Sequence, residues 1–283
     1  MSVEILSNIG LLKNSEPYIV QVDGNQQTIF ITAINQKTGE LISRFPLNGV
    51  QMLLDYIPLI FDKKLKCVYS TLCGIHDPKF PNEVELYKAI NGGLAQLNIP
   101  IYYYTKNNFI FTMCLVAANI SVEIGETIFI ILTQNEILQY ASLTFTSNGY
   151  KLNEDRIIPI LHHINPDVYR QTVLGSSNPS KIIMSPMSFD TFIPDYVKNA
   201  FNSSKTVIVD RQPYINRSIM VTYKWFKEKA FVKYISLPTC QSDCFFGFKY
   251  GSTNHQLITA KNGDDLPFTK TIEIPRSSFV FYI

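Results

Sequence analysis

The sequence predicts an α/β protein made of two related halves with mixed sheets, followed by a small β-rich C-terminal region. Three observations carry this. Residues 18–40 and 126–152 look alike: each reads as an apolar strand, a short polar turn, a second apolar strand and a glycine-containing turn. Helical and extended patterns then alternate after each of them. Beyond residue 230 helical periodicity gives way to a β-rich texture with Gly247, Gly251 and Gly263 as turn points. The expected division is a loose lead-in over 1–17, halves over 18–125 and 126–230, and a β-rich tail over 231–283.

The elements follow in order. Residues 18–34 read as two strands, with a third at 41–45 after the Lys37-Thr38-Gly39 turn. Asn48 is positioned to cap a helix to about Phe61, which Pro58 should end or kink. Residues 66–72 form a short strand. The helix at 82–97 has a capping-box start in Asn82 and Glu85, and Val84, Tyr87, Ile90, Leu94 and Leu97 share a face. Gly92-Gly93 within it should cost about 1 kcal/mol each relative to alanine. A strand at 99–104 and an apolar, buried helix at 109–118 complete the first half. The second half has strands at 127–132 and 138–146, a helix over 153–170 broken at Pro166, a strand at 181–184 and a short helix at 192–201. A strand at 206–209 and a helix from Pro213 to about Lys229 close it.

Bulk properties narrow the function classes. The chain has 283 residues, 46% hydrophobic and 17% charged, which is globular composition with ample core. A net charge of +2, with Lys and Arg scattered, gives no electrostatic case for nucleic acid or a membrane surface. The N-terminus reads as lacking a signal peptide, and five irregularly spaced cysteines suit a reducing compartment, so a cytoplasmic location is expected.

The element order resembles the actin-like ATPase superfamily, and within it the seventy-kilodalton heat-shock chaperones. Val68-Tyr69-Ser70-Thr71 stands where that family has a strand leading to Val-Pro-Ala, and Gln96-Leu97-Asn98-Ile99 parallels its Gly-Leu-Asn-Val. Lys181-Ile182-Ile183-Met184-Ser185-Pro186 with Ile193-Pro194 parallels its strand, Gly-Gly-Ser and Ile-Pro. The tail from Tyr234 to Lys270 resembles the start of the chaperone peptide-binding β-domain. The resemblance implies two actin-like, ribonuclease H-like halves whose hairpin turns grip ATP phosphates through backbone N–H groups.

The turns depart from that pattern. They read Asp23-Gly24-Asn25-Gln26-Gln27 and Thr133-Gln134-Asn135-Glu136, and the second has no glycine. Ile131 stands where a metal-orienting Asp would be, and Ser185-Pro186 replaces the glycine pair that contacts the nucleoside. The segment between 138 and 181 is too short for the adenine-clamping subdomain. The resemblance with these losses implies a pseudo-ATPase: a non-hydrolysing scaffold that binds a protein partner, with no catalytic residue, metal or cofactor. Remnant nucleotide-binding candidates are Asp23, Gly24, Asn25, Thr133, Gln134, Asn135 and Ser185. The alternative is an atypical ATP-binding chaperone homologue, for which ATP and Mg would be the cofactors. Asp23 reads first as part of a simple Asp-Gly turn, the alternative being a remnant magnesium-water ligand or catalytic acid.

Other constellations are weaker. Cys240-x-x-x-Cys244 with His255 lacks a fourth zinc ligand. His162-His163 has no acidic or cysteine partner at ligand spacing. Cys73-Gly74-Ile75-His76-Asp77 is contiguous, whereas nucleophile–base sets assemble in space. Tyr102-Tyr103-Tyr104 and Trp225 are expected in core and rim.

Overall fold

The computed structural model describes residues 3–72, 75, 77–134, 136–161, 164–188, 192–240, 243–250, 253–261, 264, 266, 271 and 280–282. Among these, the strands form two five-stranded sheets and one sheet of three strands.

The chain opens with a helix, α1 (Val3–Asn14), where a loose lead-in was expected. Ile5, Ile9 and Leu12 recur at helical spacing and bury one face in the core of the first half. Strands β1 (Tyr18–Gly24), β2 (Ile29–Asn35) and β3 (Leu41–Leu47) pair antiparallel. Helix α2 (Gly49–Ile60) carries Pro58 in its last turn and ends two residues later. β4 (Leu65–Ser70) pairs parallel with β1, and β5 (Ile101–Tyr103) parallel with β4.

Between them lies α3 (Glu83–Ala95), whose first turn is capped as expected: the Glu85 N–H donates to Asn82 Oδ1 at 3.0 Å. Ile90 and Leu94 of the expected stripe are buried, Tyr87 and Leu97 pack half-buried against the same core, Leu86 joins them, and Val84 is exposed. Gly93 has a packing reason. A Cβ there would lie 3.0 Å from Ile57 Cδ1, so the glycine lets α3 cross α2 closely.

The second half repeats the plan with β6 (Thr127–Gln134), β7 (Ile137–Thr146), β8 (Gly149–Pro159), α5 (Pro166–Leu174), β9 (Lys181–Pro186), α6 (Asp195–Ala200) and β10 (Thr206–Ile208). The expected helix over 153–170 is instead β8, a loop and α5. Strand β8 pairs antiparallel with β7 from Gly149 to Pro159, and that ladder satisfies a backbone whose side chains carry little strand-like alternation.

The first sheet runs β3-β2-β1-β4-β5; the second, read from β8, runs β8-β7-β6-β9-β10. In each, the first three strands are antiparallel and the fourth and fifth join parallel to the first. The fold is therefore the duplicated, mixed-sheet α/β arrangement expected of two actin-like halves.

Two helices join the halves. α4 (Lys106–Ala118) is mostly apolar beyond its first turn and buries both flanks. Phe109 and Met113 pack with Ile19, Cys67 and Tyr69 of the first sheet, whereas Phe111, Cys114 and Leu115 pack with Ile128, Ile130 and Ile183 of the second. α7 (Ile215–Glu228) adds Ile219, Met220 and Tyr223 to the first of these cores. Tyr102 stacks on Phe226, and Tyr104 and Trp225 are buried, in line with their expected core and rim places.

The β-rich tail was expected from residue 231. Its strands β11 (Cys244–Tyr250), β12 (Thr253–Ala260) and β13 (Val280–Tyr282) begin later. Residues 234–237 belong to the core. Tyr234, Ile235 and Leu237 pack with Val116 and Trp225. Asn108 Nδ2 donates to Ser236 Oγ at 3.0 Å and to the Leu237 carbonyl at 2.8 Å. The Tyr104 hydroxyl meets Thr112 Oγ1 at 2.9 Å and donates to the Ser236 carbonyl.

Candidate functional site in the cleft between the halves

Strand alternation decides what the cleft can contain. On β1, Tyr18, Val20 and Val22 face the outer core with α2 and α3. Ile19, Gln21 and Asp23 therefore face α4 and α7. Gln21 pairs with Thr32, and Thr32 with Arg44, so these three form one cross-strand row on the cleft side. That row, Thr71 and Asp23 make the polar wall of a pocket of about 130 Å³. Phe109, Ile110 and Met113 of α4 and Met187 and Ile215 of the second half make an apolar wall. Lys106 and Arg211 complete it. Gln21 is 2% exposed, and its Nε2 has no hydrogen-bond partner among the described residues.

The first hairpin turn closes on itself. Gly24 has φ +145°, and the Asn25 N–H donates to the Thr28 carbonyl at 2.9 Å. Asn25 Oδ1 accepts from the N–H groups of Gln27 at 2.9 Å and Thr28 at 3.0 Å. Three of the turn's backbone donors, those of Asn25, Gln27 and Thr28, are thus held by the turn's own side chain and carbonyl. Asp23 is half-buried on the pocket wall.

The second turn joins Gln134 and Ile137, a directly paired couple, so the hairpin is tight. Asn135 lies outside the described residues. Gln134 is half-buried, and the Thr133 carbonyl accepts from the Met187 N–H at 2.7 Å. Thr133 Oγ1 is buried without a hydrogen-bond partner among the described residues.

Ser185 is fully buried, and its Oγ accepts from Arg211 Nε at 2.9 Å. The Arg211 guanidinium, 2% exposed, also donates to the carbonyls of Pro186 and Met187. Ser185 therefore serves to seat Arg211. Nothing in the sequence pattern singled out Arg211; the signal available was an arginine just before Gln212-Pro213, within a strand-to-helix connection.

Ile131 faces away from the cleft. It packs in the outer core of the second half with Phe129, Tyr140 and Met184. Its neighbours Ile130 and Leu132 face α4. The cleft side of β6 is thus apolar at this level, and an acid at residue 131 would point into the outer core.

The cleft pocket is small. Pockets for drug-sized ligands run from roughly 300 to 1,000 Å³, and this one is well below that range. Among the described residues no group of three or more His, Cys, Asp or Glu could hold a metal ion. Cys240 and Cys244 lie with their sulfurs 3.9 Å apart, and His255 stacks on Phe248. The Cys73, Gly74 and His76 positions and the His162-His163 pair lie outside the described residues.

Cysteine reactivity supplies a direct check on this packing. Burial pushes the Cys67 and Cys114 thiols up to about 12, whereas Cys244 is exposed. Alkylation of the native protein at pH 8 is expected to leave Cys67 and Cys114 unmodified and to label Cys244, with the buried pair reacting only after denaturation. Peptide mapping by mass spectrometry reads this out.

No family model matches the chain, and no curated protein sequence matches it. Some solved structures align with the chain at low identity. A Bacteroides thetaiotaomicron protein of unknown function with an actin-like ATPase fold aligns over 74% of this chain and 97% of its own, at 7% identity and a TM-score of 0.41. The ethanolamine utilization protein EutJ from Carboxydothermus hydrogenoformans aligns over 75% and 95%, at 8% identity and a TM-score of 0.38. An Aquifex aeolicus Ppx/GppA phosphatase aligns over 61% and 68%, at 12% identity and a TM-score of 0.35. The fold is actin-like. That statement stands on the duplicated strand order of the chain itself, and these similarities carry nothing about activity. No helix among the described residues is long and apolar enough to cross a membrane.

Proposed function

We propose that this protein is a non-hydrolysing, cytoplasmic, protein-binding scaffold on an actin-like core, in effect a pseudo-ATPase related in plan to heat-shock chaperones. The observation that carries the first part is the first hairpin turn, where Asn25 Oδ1 and the Thr28 carbonyl take up backbone donors that would otherwise face phosphate. A cleft pocket of only about 130 Å³ and an apolar β6 surface support it.

Protein binding draws support from exposed apolar surface. A groove of about 350 Å³ at the ends of β9 and β10 is lined by Phe192 and Ile208, which are 78% and 54% exposed. Strand β8 is a sheet edge bridged, among the described residues, at Tyr150 by Ser236. The chaperone kinship rests on the tail, where an antiparallel sheet follows the two halves.

Calorimetric titration with Mg-ATP tests the reading. Charge-assisted contacts contribute about 1.5–3 kcal/mol each, and a micromolar site totals about 8 kcal/mol. Losing several such contacts leaves no saturable heat at micromolar nucleotide and no phosphate release above background. A saturable micromolar signal that Asp23→Ala abolishes would overturn it in favour of an atypical ATP-binding homologue.

A further inference from the structure

The cleft pocket has features of a built ligand site that the scaffold reading does not use. Gln21 is buried on the cleft face of β1, and its Nε2 donor has no partner among the described residues. Leaving a buried amide donor unsatisfied costs free energy unless something in the pocket accepts from it. The acceptor must be compact, because the pocket measures about 130 Å³. An apolar cavity of about 150 Å³ accepts benzene, so the available space suits roughly six heavy atoms.

Charge and polarity specify the rest. Arg44, Lys106 and Arg211 line the pocket, against the single carboxylate of Asp23. Arg211 is oriented from beneath by Ser185 and by the Pro186 and Met187 carbonyls. The opposite wall is Phe109, Ile110, Met113 and Ile215, hydrocarbon that an inorganic anion would gain nothing from covering.

We propose that this pocket binds a small monocarboxylate with a short hydrocarbon chain, of the butyrate-to-hexanoate size. The carboxylate accepts from Gln21 Nε2 within the field of the three cations, and the chain lies along α4. Asp23 sets an upper limit on affinity by opposing the ligand's charge.

The test is calorimetry or ligand-observed NMR on the full chain with butyrate, hexanoate, decanoate, butylamine and inorganic phosphate as probes. Saturable binding of butyrate or hexanoate is expected, with Kd on the order of 1 mM or tighter, weaker binding of decanoate and none of butylamine. Gln21→Leu, a near-isostere that removes the amide, is expected to weaken binding roughly tenfold or more, the loss of one charge-assisted hydrogen bond. Asp23→Asn is expected to tighten it severalfold, and this second variant decides the matter if Gln21→Leu fails to fold. The proposal is overturned by absence of saturable carboxylate binding, by equal binding of butylamine, or by phosphate binding more tightly than either short carboxylate. It is equally overturned if the Gln21→Leu or Asp23→Asn affinity equals that of the wild type.

Discussion

Gly24→Ala is expected to destabilise the protein by about 3–5 kcal/mol, the range reserved for strain that cannot relax. The residue sits at φ +145°, a conformation in which an L side chain is strained whatever the space around it. Here there is no space either. A Cβ would overlap the Thr28 carbonyl oxygen and lie 2.9 Å from Ile29 Cα. Both are backbone atoms, and Ile29 is the residue directly paired with Gly24 in the ladder. Relief would require opening the hairpin at the point where Asn25 and Thr28 close it. Gly10→Ala provides the contrast: it lies within α1, a Cβ there meets nothing within 4 Å, and a small gain is expected from helix propensity. Urea denaturation midpoints at constant m-value compare the two. The wider consequence concerns function. The hairpin needs this glycine to turn, whether or not a phosphate ever approaches, so its presence carries no nucleotide-binding information. An alanine variant of wild-type stability would show that the turn is loose and would return Gly24 to the list of ligand-contacting residues.

The same separation between what a turn needs and what a ligand needs explains how far the sequence could be read. The two hairpins and their matching order were legible because each strand pair is an apolar run bounded by turn residues, and the Asn82 cap was legible because its mechanism is local. What lay outside reach depended on partners distant in the chain. Residues 153–156 are polar and charged and read as a helix start, and pairing with β7 makes them part of a strand. Residues 3–14 read as a loose lead-in until Ile5, Ile9 and Leu12 meet the first core. Tyr234 to Leu237 read as the start of a separate tail until Asn108, Thr112 and Tyr150 bind them to the core. At the candidate site the turns were identified by position, but the closure by Asn25 and the seating of Arg211 are side-chain geometry. The face on which Ile131 lies is a question of strand parity, which shifts with a single residue of register.

That parity makes Ile131→Asp the sharpest discriminating substitution. Aligned by order of elements, residue 131 is where an acid would orient a metal, so restoring the acid should be tolerated and should create magnesium binding. The structure leads to the opposite expectation. Ile131 has no exposed surface, pairs across the ladder with Tyr140 and Met184, and packs with Phe129 in the outer core. An aspartate there would lose the buried hydrocarbon, about 2–3 kcal/mol, and would place a carboxylate among apolar groups. Such a group avoids the several-kilocalorie burial cost only by binding a proton, which transfers the penalty to neutral pH. Because its folded-state pKa would rise above the unfolded value, the variant should be least impaired in acid and should lose stability as pH rises through that window. A total loss of about 4 kcal/mol or more is expected at pH 7, with the denaturation midpoint insensitive to magnesium. A variant as stable as the wild type, gaining stability with added magnesium as a folded-state ligand requires, would place residue 131 in the cleft and restore the acid's metal-orienting role.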